Sequence, residues 1–209
     1  MINEEFDVIK VIGVGTCGSI IVGNMINDLI YGVDFIVANT DSQVLELSQA
    51  PTKILLTPNV MDGFANEEIA ASVAGSDLVI LIAGMGGATG STASRLFANV
   101  SKSLGFTTIG IVTKPFSFEG IKRMARAEDG IFQLGKLIKS LIVLPNDQIC
   151  TSPGNEIFGA FRSGNVIISC ILSRIIEWLP QHSFAETDFT GIDWIADAKI
   201  ELSRCCPVI

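Results

Sequence analysis

The 209-residue sequence predicts an α/β domain of the doubly wound class, a mostly parallel sheet with helices on both faces. Three observations predict it. Short, continuously apolar runs recur along the chain, clearest at residues 77–83, and such runs suit strands buried on both sides. Segments of helical pattern separate them, as parallel strands require. Two of the runs end in glycine clusters that lead directly into a helix.

Residues 8–12 form the first predicted strand, closed by glycines, and 19–30 the following helix. Residues 33–38 are a second strand, with Asn39, Thr40 and Asp41 at its end, and 53–56 a third. A short helix over 66–74 is entered through Asp62, Gly63 and Phe64. The apolar strand at 77–83 precedes a helix over 89–104 and a strand over 107–112. Residues 118–139 are mostly helical in pattern, and 140–144 make another strand, closed by Pro145, Asn146 and Asp147. No repeat, low-complexity tract or linker interrupts the series. Over 155–179 apolar residues, among them Ile167, Ile171 and Ile175, point to nearly every side of a helix, so a long central helix buried all round is expected, ended by Pro180.

Composition narrows the function. Hydrophobic residues make up 48% and charged residues 17%, with a mean hydropathy of +0.50, so either most strands are buried on both faces or apolar surface awaits a partner. A net charge of −8 argues against nucleic acid as the main partner, since counterion release needs a basic surface. Five cysteines without a C-x-x-C, and one histidine, His182, indicate neither a disulfide framework nor a metal centre. The first residues lack a signal peptide's basic and apolar regions and no run reaches membrane-spanning length, so a cytoplasmic protein is expected. The final Cys206-Pro207-Val208-Ile209 is formally a lipidation box, but proline beside the cysteine makes it a poor match.

The first glycine cluster, Gly13-Val14-Gly15-Thr16-Cys17-Gly18, satisfies G-x-G-x-x-G, with Asp41 near the place of a dinucleotide-binding acid. Taken alone it also fits a tight strand–helix turn with no ligand. The second, Gly84-Met85-Gly86-Gly87-Ala88-Thr89-Gly90-Ser91-Thr92, decides more. Two such turns at strand ends would lie on one edge of the sheet, where backbone N–H groups and helix N-termini can wrap a di- or triphosphate. No G-x-x-x-x-G-K-[ST] occurs, which excludes a Walker-type NTPase.

Residues 86–92 resemble the tubulin/FtsZ signature G-G-G-T-G-[ST]-G. Residues 9–15 are similar to the way FtsZ begins, Asn39-Thr40-Asp41 matches a family loop, and residues 113–124, TKPFSFEGIKRM, resemble an FtsZ segment nearly letter for letter. Leu144-Pro145-Asn146-Asp147 and residues 159–165, GAFRSGN, follow in order, so the resemblance covers roughly 9–198. It implies a Rossmann-like, GTP- or GDP-binding domain, with Mg2+ as an accompanying ion, over 1–180, and a catalytic-loop remnant and terminal helix over 181–209. By position it implies that Gly15, Thr16, Cys17 and Gly18 meet the α- and β-phosphates and that Gly86, Gly87, Ala88, Thr89 and Gly90 cradle them from the other side. Glu119 and Arg123 would reach ribose and phosphate, Phe161 would stack on guanine, and Asn165 would bond its edge. Alone, Phe161 also fits a core position, and Glu119 with Arg123 fits a surface helix pair.

The departures from the family are expected to matter. Ala88 and Thr92 replace signature glycines, and a Cβ at Ala88 could block a left-handed backbone angle or crowd the phosphate. The glycine-rich loop that covers the γ-phosphate in the family is reduced to residues 57–64. The loop that positions the attacking water from a neighbouring subunit, N-x-D-F-x-D in FtsZ, reads Glu186-Thr187-Asp188-Phe189-Thr190-Gly191. Asp188 matches, Glu186 replaces the asparagine and Gly191 the second acid, so hydrolysis should be weak or absent. The family's second domain is expected to be absent, so helix 155–179 would offer an apolar face to another copy or to an FtsZ-like partner. Three readings follow: a slowly hydrolysing or non-hydrolysing GTP-binding cytoskeletal protein; an FtsZ-like regulator or capping module; and a NAD-type oxidoreductase domain, disfavoured by the second glycine cluster.

Overall fold

The computed structural model of the chain describes residues 8–58, 67–149, 166–173 and 175. In chain order these form β1 (Ile9–Val14), α1 (Gly15–Asn27), β2 (Asp34–Asn39), α2 (Ser42–Leu47), β3 (Thr52–Leu55), α3 (Glu67–Val73), β4 (Leu78–Gly84), α4 (Ala88–Ser103), β5 (Thr107–Lys114), a 3-10 turn (Ser117–Glu119), α5 (Ile121–Gly135), β6 (Ser140–Pro145) and α6 (Asn146–Ile149). Residues 166–173 are also helical.

The six strands lie in the order β3-β2-β1-β4-β5-β6, and every pair is parallel. This is the doubly wound arrangement that the alternation of elements predicts, and it is Rossmann-like. The order reverses between β1 and β4, the switch point at which such sheets bind ligands beyond the strands' carboxyl ends.

Side-chain alternation divides the core. Val11, Val37, Ile80 and Ile82 turn to the face covered by α1, α2 and the helix at 166–173, while Ile12, Val14, Leu81 and Ala83 turn to the face covered by α3, α4 and α5. The strands are apolar on both sides because both faces are covered. Lys10 crosses to the end of α3 and donates from Nζ to the carbonyls of Ser72 and Ala74 at 2.9 and 2.7 Å, satisfying groups a helix C-terminus leaves open.

The elements match the expected series with two differences that bear on the site. β1 runs to Val14 and α1 starts at Gly15, so the expected loop is a junction of no length. α2 is an element the apolar pattern does not reveal; Asp41 caps it, its Oδ1 accepting from the Gln43 N–H at 2.9 Å. Of the central helix, Ile167, Ile168, Ile171, Leu172 and Ile175 are buried in the core, and Val166 is exposed. Its remaining residues lie outside the described ones.

Candidate functional site

Both glycine clusters lie at the carboxyl edge of the sheet, on the adjacent strands β1 and β4. Between them is a cavity of about 220 Å³, lined by the starts of α1 and α4, the ends of β4 and β5, Glu119, Arg123 and Asn146.

The two turns touch through glycine. Gly15 has φ +71°, and a Cβ there would stand 3.3 Å from the Gly90 amide nitrogen. Positive φ and close approach together call for glycine. Val14 and Gly87 are the N-caps of α1 and α4, and neither helix has a side-chain cap. The first N–H groups of both helices therefore point at the cavity with no side chain answering them, an arrangement that favours anions. Thr40 and Thr89 join their hydroxyls at 3.0 Å and tie the end of β2 to the start of α4.

Gly15, Thr16, Cys17, Gly87, Ala88, Thr89, Gly90, Glu119 and Arg123, all expected at the site, line the cavity together. Gly18 and Gly86 are not among the lining residues. A Cβ at Gly18 would run into the Ile82 carbonyl oxygen, so this glycine lets α1 lie against β4. Gly86 has φ +93° and donates its N–H to Ser91 Oγ at 3.1 Å, closing the turn on itself. Asp41, engaged as the cap of α2, does not line the cavity. Ala88 is exposed in the first turn of α4 with a right-handed backbone, so its Cβ does not meet the left-handed strain expected of it; it lines the cavity, where the phosphate would lie. Phe161, Asn165, Glu186 and Asp188 lie outside the described residues. Beyond the two glycine clusters, whose Val14, Gly84 and Met85 also line the cavity, the residues that sequence reasoning did not assign are Thr113, Pro115 and Asn146, at the ends of β5 and β6. The signal for them was the sheet order, which places those strand ends beside β4.

Glu119 and Arg123 form the i, i+4 ion pair, Oε2 to Nε at 2.9 Å, and they do so on the cavity wall. Glu119 Oε1 accepts from the Phe116 N–H at 2.8 Å. Its carboxylate is thus committed to the turn, whereas Arg123 is half exposed and keeps its two terminal nitrogens free of other ion pairs among the described residues.

Cys17 packs against Gly84 and approaches Thr113 Oγ1 at 3.8 Å. Burial pushes its thiol above the ordinary value of 9.0, and the Thr113 hydrogen bond opposes that only in part. At neutral pH it is a thiol, not a thiolate. Iodoacetamide near neutral pH should leave Cys17 unmodified in the folded protein and alkylate it in urea, as read by peptide mass mapping. Because the folded state holds this proton more tightly, its contribution to stability is complete below pH 9.0 and declines as pH rises further towards the folded pKa. Alkylation of folded Cys17 as fast as free cysteine would overturn this.

The family model described as "Tubulin/FtsZ family, GTPase domain" matches residues 61–152. The chain is 38% identical over 202 residues to the cell division protein FtsZ of Buchnera aphidicola subsp. Acyrthosiphon pisum, covering 88% of this chain and 53% of that protein. It is 37% identical over 201 residues to the FtsZ of Coxiella burnetii, with 88% and 52% covered. Among solved structures, an empty FtsZ dimer of M. jannaschii superimposes with a TM-score of 0.76 at 28% identity, covering 93% of this chain and 60% of that one. The chain belongs to the tubulin/FtsZ superfamily. Within it, the chain resembles the amino-terminal GTP-binding domain of bacterial FtsZ, and it spans about half the length of the curated relatives it matches.

Proposed function

We propose that the chain is an FtsZ-like protein of the cell-division cytoskeleton that binds a guanine nucleotide, GTP or GDP, with its phosphates between the N-termini of α1 and α4. The observation that carries this is the meeting of two helix starts without side-chain caps around a cavity at the switch point. Arg123 would add a charged donor to a phosphate oxygen. Phe161 and Asn165 would take the base, a role that rests on the resemblance. Among the described residues no group of three or more His, Cys, Asp or Glu could hold a metal ion, so Mg2+ would draw its ligands mainly from phosphate oxygens and water. The nucleotide-binding unit would comprise 1–180, with Glu186 and Asp188 in the following segment acting on the nucleotide of a neighbouring copy, and helix 155–179 meeting a partner. Among the described residues no helix is long and apolar enough to cross a membrane.

The changes at Glu186 and Gly191 favour a second reading, a regulator that binds nucleotide without turning it over, or does not bind it. Calorimetric titration with GTP, GDP, ATP and NAD, followed by a phosphate-release assay, separates the two. Guanine-specific binding with release supports the first; binding without release, or no binding, supports the second. Tight NAD binding would return the chain to the dinucleotide class.

Arg123→Ala should weaken guanine nucleotide binding about tenfold, or about 1.4 kcal/mol. Its ion pair with Glu119 is half exposed on the arginine side, so the fold should lose no more than about 1 kcal/mol. Titration and thermal melting on one sample check both, and unchanged affinity would remove Arg123 from the site.

A further inference from the structure

The face formed by α4 and α5 is basic in an acidic chain. Residues 78–139 hold eight of the 14 Lys and Arg and three of the 22 Asp and Glu. α4 contains no acid. Two of the three acids are engaged, Glu119 with Arg123 and Glu128 with Lys114. Arg95 and Arg126 are both exposed, and neither has an ion-pair partner among the described residues.

Those two arginines line one groove of about 480 Å³ between the helices. Gly130 brings α5 against α4 at its floor, since a Cβ there would stand 3.1 Å from the Ser91 Cβ. Thr92 adds an exposed hydroxyl. The third acid, Asp129, is also in the groove, where it accepts from Gln133 Nε2 at 3.4 Å. The remaining lining residues are glycine or alanine.

α4 and α5 each follow a strand of the same parallel sheet, so they run in the same direction. The Ser91–Gly130 contact sets their register. Arg126 lies one turn before it on α5 and Arg95 one turn after it on α4, with Asp129 between them. At 1.5 Å per residue the two arginine backbones are about 12 Å apart along the groove. An extended chain covers that distance in about three to four residues.

We propose that this groove binds an acidic segment of a partner protein in extended form, with two carboxylates about three to four residues apart paired with Arg95 and Arg126. The small residues of the floor let the peptide backbone lie low between them, and the Thr92 hydroxyl is placed to bond it. Asp129 selects against a further acid midway between the two. A phosphodiester backbone carries charge at every unit, so it would set one against Asp129 and others near Glu67 and Glu68, at the start of α3 on the same side of the sheet. A peptide can place its charges only where the arginines are. The proposal does not rest on the nucleotide reading.

Amide NMR titration of the full chain tests it, at about 50 mM salt, with a synthetic peptide whose two glutamates stand about three residues apart among alanine and serine. The expected result is saturable binding with a Kd of about 1 mM or tighter, with shifts centred on 91–95 and 126–130. Affinity should fall at least about fivefold at about 500 mM salt. A peptide with adjacent glutamates should bind at least about threefold more weakly. Arg95→Glu with Arg126→Glu should melt near the parent, since both residues are exposed, and should prefer the lysine counterpart of the peptide. Saturating pyrophosphate at matched ionic strength should leave the peptide bound, because the groove and the cavity meet only at Gly87 and Ala88. No saturable binding, equal affinity for adjacent glutamates, a reversed variant that still prefers glutamate, or displacement by pyrophosphate would each overturn the proposal. Arginine-dependent binding of duplex DNA or anionic vesicles tighter than that of the peptide would also overturn it, and would give the groove a different occupant.

Discussion

Replacing Gly90 by alanine is expected to destabilise the protein by about 2 kcal/mol and to weaken nucleotide binding at least about tenfold in the same step. Gly90 is buried in the first turn of α4, where a Cβ would collide with the Gly84 carbonyl oxygen and stand 3.3 Å from its carbon. Two effects oppose each other. Alanine in a helix gains about 1 kcal/mol over glycine. Forcing a methyl group against fixed backbone costs about 3 kcal/mol, at the upper end of overpacking effects, because a carbonyl at a strand end cannot swing aside as a side chain can. The clash wins. For a chain of this length the net change lowers the melting temperature by about 4–8 °C. Moving α4 away from β4 also withdraws the N–H groups of Ala88, Thr89 and Gly90 from the cavity. Calorimetric melting and nucleotide titration read the two losses together. An alanine variant that melts with the parent would show that the close approach of α4 to β4 is absent.

Gly87→Glu should separate what Gly90→Ala joins. Gly87 lines the cavity, no atom lies within 4 Å of where its Cβ would stand, and its backbone angles of −83° and 154° suit any residue. The fold should melt within about 2 °C of the parent, as substitutions without a packing conflict do. Binding should fall about a hundredfold, or about 2.7 kcal/mol. That figure is modest beside the roughly 4 kcal/mol between two unit charges about 4 Å apart at an effective dielectric near 20. Titration with GDP and with pyrophosphate alone checks it. Nucleotide affinity within about threefold of the parent would place the phosphates elsewhere.

Local physics explains what was legible from residue order. Buried parallel strands must be apolar on both sides, so the leucine, valine and isoleucine run of β4 announced itself. Glycines at strand ends announced the two turns. The roles of single glycines were less visible. Gly15 and Gly18 look alike in sequence, but one faces the cavity and the other packs α1 against β4, a difference that depends on how closely two elements approach. Asp41 carried a signal with two meanings, a ligand acid and a helix cap, and α2 was too short for its six residues to show a helical period. Thr113, Pro115 and Asn146 reach the cavity because β5 lies beside β4 and β6 beside β5, and strand order is fixed by the packing of the whole sheet.

The contact between Gly15 and Gly90 brings two helix dipoles nose to nose, each with a partial positive charge of roughly half a unit at its tip. Like poles held this close repel, and the glycines that allow the approach add no counter-charge. A polyphosphate wedged between them would act as a keystone, relieving strain in the arch while being gripped by it. The domain should therefore become harder to unfold as anion concentration rises, with even inorganic pyrophosphate lifting its melting temperature with the logarithm of its concentration above the dissociation constant.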